Sequence, residues 1–458
     1  MGKRKTDYIC KECGYKTSGY LGKCPECNSW NSFEEFYIEK ESSSLSSPKS
    51  MMGVKSKSIT SSKLSSVLSS SILRIDTGNS EFNRVVGGGI VKDSVNIISA
   101  PPGMGKSTLL LQIANYIAEH EGPVLYVSGE ESDTQVKLRA DRILKTISDN
   151  LFIYTDTMLE SIEQEIDSIK PVFIVIDSLQ MLYSKNCDGT LYGDKQALTC
   201  VNALISNVKT RKIAVFLVGQ MTKEDELRGS REVEHAVDAV FYMDKIDKSQ
   251  VRILRATKNR FGNTDEVGMF EMNSDGLNEI ADPARYFTSL HKTPQVGCAL
   301  SITKEGTRSI ITEAEVLSDP NVFSYPQRVS RGVPSDQLKV YLAILEKELS
   351  VRAAKKDVYL QICGGLKIRD EAIGLSVCAA IYSSIKKIAV PQDTIFIGSI
   401  GLTGHIKKVA DIESIIKDCE RFGFKRIIIP DVCLPVKGKY SIDIVGISSL
   451  KQISTIIV

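Results

Sequence analysis

Ser94-Val95-Asn96-Ile97-Ile98-Ser99, then Ala100-Pro101-Pro102-Gly103-Met104-Gly105-Lys106-Ser107-Thr108, then LLLQIANYIAEH (109–120), form the segment that most constrains the architecture of this chain. It reads as a strand, a glycine-bearing loop and a helix, in the order a phosphate-binding loop requires. The amides of such a loop and the helix N-terminus surround the β- and γ-phosphates of ATP. Lys106 adds a positive charge and the Ser107 hydroxyl ligates Mg2+. Expected nucleotide contacts therefore run through Ala100, Pro101, Pro102, Gly103, Met104, Gly105, Lys106, Ser107 and Thr108. The first position departs from G-x4-G-K-[ST], because Ala100 stands where glycine is usual, a change that a negative φ accommodates. A purely structural glycine turn is the competing reading. An acidic strand downstream opposes it.

That strand is PVFIVIDSLQ (171–180), where Asp177 ends an apolar run and so reaches the carboxyl edge of the sheet, placed to hold Mg2+ with Ser107. Ser178 follows, where many phosphate-loop ATPases carry a glutamate, so the base that orients the attacking water must come from another strand. PVLYVSGEES (123–132) supplies Glu130, preferred over a solvated Glu131. The alternative for Glu130 is a helix-capping carboxylate. The strand IAVFLVG (213–219) ends at Gln220, either a γ-phosphate sensor that passes its signal into MTKEDELRGSRE (221–232) or an ordinary strand-end amide.

Working outward, apolar runs alternate with helix-like stretches from about 73 to 280: after PVLYVS a helix from Thr134, after PVFIVID a helix from Asp194, then IAVFLVG. Such alternation predicts an α/β fold with a mostly parallel sheet covered on both faces. Residues 41–71 hold fifteen serines in thirty-one positions and read as a tether. The last region is α+β in character, with strands in RSIITEAEV, VYLQICG, TIFIGSIG and RIIIP and helices over 371–387 and 411–422. The expected division is 1–36, a linker over 37–72, an ATPase region over 73–283, and 284–458.

Cys10-x2-Cys13 and Cys24-x2-Cys27 have the spacing of two knuckle turns that offer four thiolates to one tetrahedral zinc ion. Four soft ligands leave no open position, so the zinc is structural; four thiols without metal are the alternative. Lys11, Lys16, Lys23 and Trp30 on this ribbon suit nucleic acid or protein equally. The other seven cysteines read as small apolar packing residues, and the four histidines as structural. The 458 residues imply two or three domains, and a formal charge of +2 excludes a polycation that coats nucleic acid. No apolar run approaches the ~18 residues of a spanning helix, so no membrane role and a cytosolic location are expected.

The cysteine ribbon, VSGEES, VIDSLQ, VGQMTKEDELRGSREVEHAVDAVFYM and above all RATKNRFGNTDEVGMFEM resemble the bacterial RadA/Sms DNA-repair ATPase family along nearly the whole chain. Lys258-Asn259-Arg260-Phe261-Gly262 matches its KNRFG signature. The resemblance implies a RecA-like ATPase core, the zinc ribbon, and a C-terminal domain like that of Lon protease without its catalysis. It implies a homohexameric, DNA-dependent motor that promotes branch migration, working with recombinase and replication or repair proteins on single-stranded and branched DNA. Lys258 and Arg260 would reach the nucleotide of the neighbouring subunit or the DNA; a solvated turn is the alternative. Gln220 and Asp225 depart from the family's VGHVTKEG, which would alter the strength of coupling. Ala372 stands about where the Lon serine would be and Glu413 near its lysine, leaving no Ser-Lys dyad; Ser376 keeps a protease alternative in view. Candidate DNA loops are 184–195, with Lys185, Tyr192 and Lys195, and 222–231, with Lys223, Arg228 and Arg231. Both read equally as solvated turns. An ATP-gated scaffold that recruits repair proteins without translocation is the competing function.

Overall fold

The computed structural model describes residues 6–10, 16–17, 22–25, 29–30, 32–37, 73–220, 231–246, 249–280, 282–288, 293–321, 325–365 and 370–458. Two compact units divide the chain, Met1–Leu68 and Ser69–Val458. In the first, Thr6–Cys10 pairs antiparallel with both Lys16–Thr17 and Phe33–Tyr37.

The second unit opens on helix α1 (Ser80–Val86) and a nine-stranded sheet. Its strands are β1 (Val95–Ala100), β2 (Val124–Ser128), β3 (Leu151–Tyr154), β4 (Phe173–Asp177), β5 (Ala214–Gln220), β6 (Ala239–Lys245), β7 (Val251–Asn259), β8 (Val267–Asn273) and β9 (Gly276–Glu279), in the order β9-β8-β7-β6-β1-β5-β4-β2-β3. From β6 across to β3 the pairing is parallel, as the near-continuous apolar runs predict. Alternate residues feed two cores. Ile98, Tyr126, Val175 and Phe216 pack beneath α2 (Lys106–His120) and α3 (Asp133–Ile143). Ile97, Leu125, Ile174 and Leu217 pack beneath α4 (Leu159–Ile169) and α5 (Asp194–Arg211). β7, β8 and β9 extend the sheet antiparallel. The sequence reading passes over β3 and α4 for a physical reason. β3 is a four-residue edge strand with no fully buried position, so it lacks the apolar run that marks its neighbours.

A seven-stranded sheet follows, of β10 (Cys298–Glu305), β11 (Arg308–Pro320), β12 (Arg328–Arg331), β13 (Lys356–Ile362), β14 (Thr394–Phe396), β15 (Arg426–Pro430) and β16 (Asp443–Ile447), ordered β12-β13-β11-β10-β14-β15-β16. Helix Ser335–Leu349 and helix Gly374–Lys386 bury one face. Their core cluster also takes in Val251, Ile253 and Met269 from β7 and β8, so the two sheets share buried apolar contacts. The β10–β11 turn seals this junction. Gly306 has φ +59, and a Cβ there would lie 1.9 Å from the Asp265 carbonyl oxygen, so only glycine fits. Around it Arg308 pairs with the buried Glu81, whose other oxygen accepts from Met269 N at 2.9 Å, while Arg255 pairs with Glu305 at 3.1 Å.

Candidate nucleotide site

The phosphate loop leaves β1 at Ala100, a buried strand end that is absent from the positive-φ positions, whereas Gly103 (φ +75) and Gly105 (φ +98) occupy the left-handed region. Alanine at the first position therefore costs no strain, while the two glycines that follow are required by backbone shape. Gly105 caps α2, whose first turn carries Lys106, Ser107 and Thr108. The Lys106 ammonium donates to the Ala100 carbonyl at 2.9 Å. Burial lowers its pKa from the ordinary lysine value, and the charges of Asp177 and Glu130 act in the opposite direction. Both carboxylates thus face the lysine, and the sheet register explains why. Ser128 of β2 pairs with Asp177 of β4, Asp177 with Val218 of β5, and Gln220 with Ala100, so all four strands end together at one edge.

Glu130 stands at the centre of that edge. Ser178 Oγ donates to Glu130 Oε1 at 2.5 Å and Gln220 Nε2 donates to the same oxygen at 2.7 Å. The helix cap is another residue: Ser132 caps α3 in a capping box with Gln135. Glu131 is turned away into an ion pair with Arg139. Asp177 Oδ2 accepts from the Tyr126 hydroxyl at 3.0 Å, and burial, then the nearby carboxylate, pushes that phenol well above its ordinary range. Sequence reasoning missed Ser178, Tyr126 and Arg139. Tyr126 had a signal, being a polar tip in an otherwise apolar strand beside the strand that bears Asp177.

The residues present fit Mg2+ with ATP. Ser107 and Asp177 offer a hydroxyl and a carboxylate, the oxygen ligands that Mg2+ takes. In the ribbon, Cys10 and Cys24 are buried, and Cys24 N donates to Ser29 O at 2.9 Å. Cys13 and Cys27 lie outside the described residues. Two buried thiols, Cys10 at the end of a strand and Cys24 beside the Lys23–Trp30 bridge, fit the soft donors of a zinc centre. Trp30 is 71% exposed and Lys23 sits over its ring at 5.6 Å.

Lys258 and Arg260 are placed elsewhere. Lys258 pairs with Val240, which pairs with Ile97, and Asn259 pairs with Ala239, which pairs with Asn96. That is the opposite edge of the sheet from Ala100, by strand rise alone about 10 Å away at the level of Lys258 and about 13 Å at that of Asn259. The Lys258 ammonium donates to the carbonyls of Glu234, His235 and Val237 at 2.9, 2.9 and 2.7 Å, holding the end of α6 (Arg231–Ala236). Burial, then the charge of Arg260, lowers its pKa. Arg260 pairs with Asp238 at 3.0 Å.

Of the candidate DNA loops, residues 222–230, with Lys223 and Arg228, lie outside the described residues. In 184–195, Lys185 and Tyr192 are exposed, whereas Lys195 donates to Asp188 O at 2.7 Å. In the C-terminal region Ala372 is buried, and Ser376 is 1% exposed with its hydroxyl given to Ile373 O at 2.8 Å. Glu413 accepts from Lys437 N at 3.3 Å. None of the seven scattered cysteines forms a disulfide. Among the described residues no helix is long and apolar enough to cross a membrane.

Three family models match the chain: Rubredoxin metal binding domain over residues 8–35, AAA domain over 61–226, and Subunit ChlI of Mg-chelatase over 337–432. The chain is 40% identical over 454 residues to DNA repair protein RadA of Streptococcus pyogenes serotype M1, covering 99% of each. It is 38% identical to DNA repair protein RadA of Halalkalibacterium halodurans and 37% to that of Bacillus subtilis, each over 458 residues, 99% of this chain and 98% of the relative. With a nucleotide loop on an α/β sheet, an N-terminal zinc ribbon and a ChlI- and Lon-like C-terminal region, the chain belongs to the RadA family of DNA-repair ATPases.

Proposed function

We propose that the chain is a DNA-dependent ATPase motor that assembles as a homohexamer and drives branch migration on single-stranded and branched DNA in recombinational repair. One observation carries this reading. Gln220, on the Glu130 carboxylate, begins a segment that runs through 221–230 into α6, whose far end is held by Lys258. A change at the γ-phosphate can therefore pull on the loop proposed to touch DNA and on the KNRFG signature together.

In the reaction, Glu130 accepts a proton from the attacking water, with Ser178 and Gln220 fixing one carboxylate oxygen so that the other faces the water. Lys106 leaves the Ala100 carbonyl for the β- and γ-phosphates. Ser107 and Asp177 would hold Mg2+, which would supply charge to neutralise the phosphates. Tyr126 keeps Asp177 aimed. Lys258 and Arg260, too far from their own phosphate loop, supply charge to the neighbouring subunit's nucleotide, so hydrolysis requires assembly.

Tyr192, 54% exposed, offers a stacking surface and the exposed Lys185 of the same loop a cation to single-stranded DNA, and six copies at a ring axis concentrate a charge that one chain of formal charge +2 lacks. The zinc ribbon (1–36) and linker (37–72) precede the ATPase region (73–283). The Lon-like region (284–458) serves as ring scaffold and second DNA surface. Its buried Ser376, spent on a main-chain carbonyl, supports the absence of peptidase activity. Recombinase and replication or repair proteins are the proposed partners, in the bacterial cytoplasm.

The test is steady-state ATP hydrolysis with and without single-stranded DNA at low salt, for wild type and Lys106→Ala, with sizing of the assembly. Stimulation by DNA that Lys106→Ala abolishes is expected. Assembly with nucleotide but an unchanged rate would replace the motor by an ATP-gated scaffold.

A further inference from the structure

Cys298 opens β10 and stands directly opposite Glu315 in the antiparallel pairing with β11. Glu313, two residues earlier on β11, points to the same face and is fully buried. The Cys298 thiol and carboxylate oxygens of Glu313 and Glu315 all lie within 4.8 Å of one another. Cys298 and Glu315 also line a cavity of about 390 Å3 with Arg331, Tyr359 and Gln361, so an ion has a way in from solvent.

Ordinary packing explains one buried thiol readily. It does not explain a thiol and two carboxylates within 4.8 Å of one another, because carboxylates this close repel unless a proton or a cation lies between them. Thiolate and carboxylate are both donors that zinc accepts, at four-coordinate geometry. We propose that Cys298, Glu313 and Glu315 form a second metal site, taking a divalent transition-metal ion of the zinc class with one position left for water. The Cys298 thiol gives up one proton to water on binding. One thiolate and two carboxylates against one divalent ion leave a formal charge of −1, and Arg331 on the same cavity wall opposes it. The ion would clamp β10 to β11, whose connecting turn meets the β7–β8 turn where Thr307 N donates to the Asp265 carbonyl at 3.0 Å.

The experiment is metal content of the full chain after chelator treatment, reloading with zinc and removal of excess, read by atomic emission. Two zinc ions per chain are expected for wild type, one for Cys24→Ser, and one for Cys298→Ala combined with Glu315→Gln. Cobalt loading of Cys24→Ser should still give thiolate-to-metal absorption. A single ion in wild type that Cys24→Ser removes would overturn the proposal, as would two ions retained by the Cys298→Ala, Glu315→Gln variant. Should that variant fail to fold, the wild-type and Cys24→Ser counts decide alone.

Discussion

Removing the Ser178 hydroxyl should slow hydrolysis without weakening nucleotide binding. Ser178 is buried and its one role beside the phosphate loop is to donate to Glu130 Oε1 at 2.5 Å. A hydrogen bond to a charged group contributes about 1.5–3 kcal/mol. If the whole of it holds the carboxylate toward water, Ser178→Ala lowers kcat roughly 10- to 150-fold, at 1.36 kcal/mol per factor of ten. Gln220 still donates to the same oxygen at 2.7 Å, so Glu130 keeps one anchor and the lower end of the range is expected. Gln220→Ala alone should cost a similar factor. The double variant should cost more than the product of the two, because only then does the carboxylate lose both anchors. Single-turnover hydrolysis with saturating DNA gives kcat, and titration with a fluorescent ATP analogue gives Kd. A Ser178→Ala protein that hydrolyses at the wild-type rate, or that loses affinity in step with rate, would refute the role given to this contact.

Glu130→Gln should bind ATP normally and hydrolyse it roughly 100- to 10,000-fold more slowly, measured in the same assays. Burial lowers the Lys106 pKa, so the fold disfavours its charged form: the cost is full below the folded value and is relieved as pH climbs to the unfolded one. Lys106→Met should therefore melt higher than wild type at pH 7 without nucleotide, by an excess that shrinks in alkaline buffer, while hydrolysis is lost. Arg308→Ala strips the buried Glu81 of its cation and should destabilise the second unit by about 3–5 kcal/mol in denaturant titration, most of it restored by Glu81→Gln with Arg308→Met. Lys258→Ala should raise amide hydrogen exchange over 231–238, where three carbonyls lose their donor.

The nucleotide loop, Asp177 and Glu130 were legible because each sits at the end of a strand, and strand ends are written locally by where an apolar run stops. Ala100 was legible as a departure, and its extended conformation at the end of β1 shows why the departure costs nothing. What the sequence hid are contacts made across it. Ser178 meets Glu130 over forty-eight positions and Tyr126 meets Asp177 over fifty-one, and both depend on which strands become neighbours. The pairing of Cys298 with Glu315 is likewise a matter of register, which no local pattern around Cys298 shows. Lys258 and Arg260 were marked by resemblance alone. Their distance from the phosphate loop follows from β7 running antiparallel to β6, a direction that no local pattern encodes.

In the proposed ring, one nucleotide site draws Glu130 from one subunit and Lys258 from the next. Glu130→Gln and Lys258→Ala, each inactive alone, are to be mixed in equal amounts and their ATP hydrolysis measured with saturating single-stranded DNA. In a random ring roughly one interface in four then has both residues intact, so activity should return to about a quarter of wild type. A mixture as inactive as its components, in rings shown to exchange subunits, would mean that Lys258 acts within its own chain and would contradict the account.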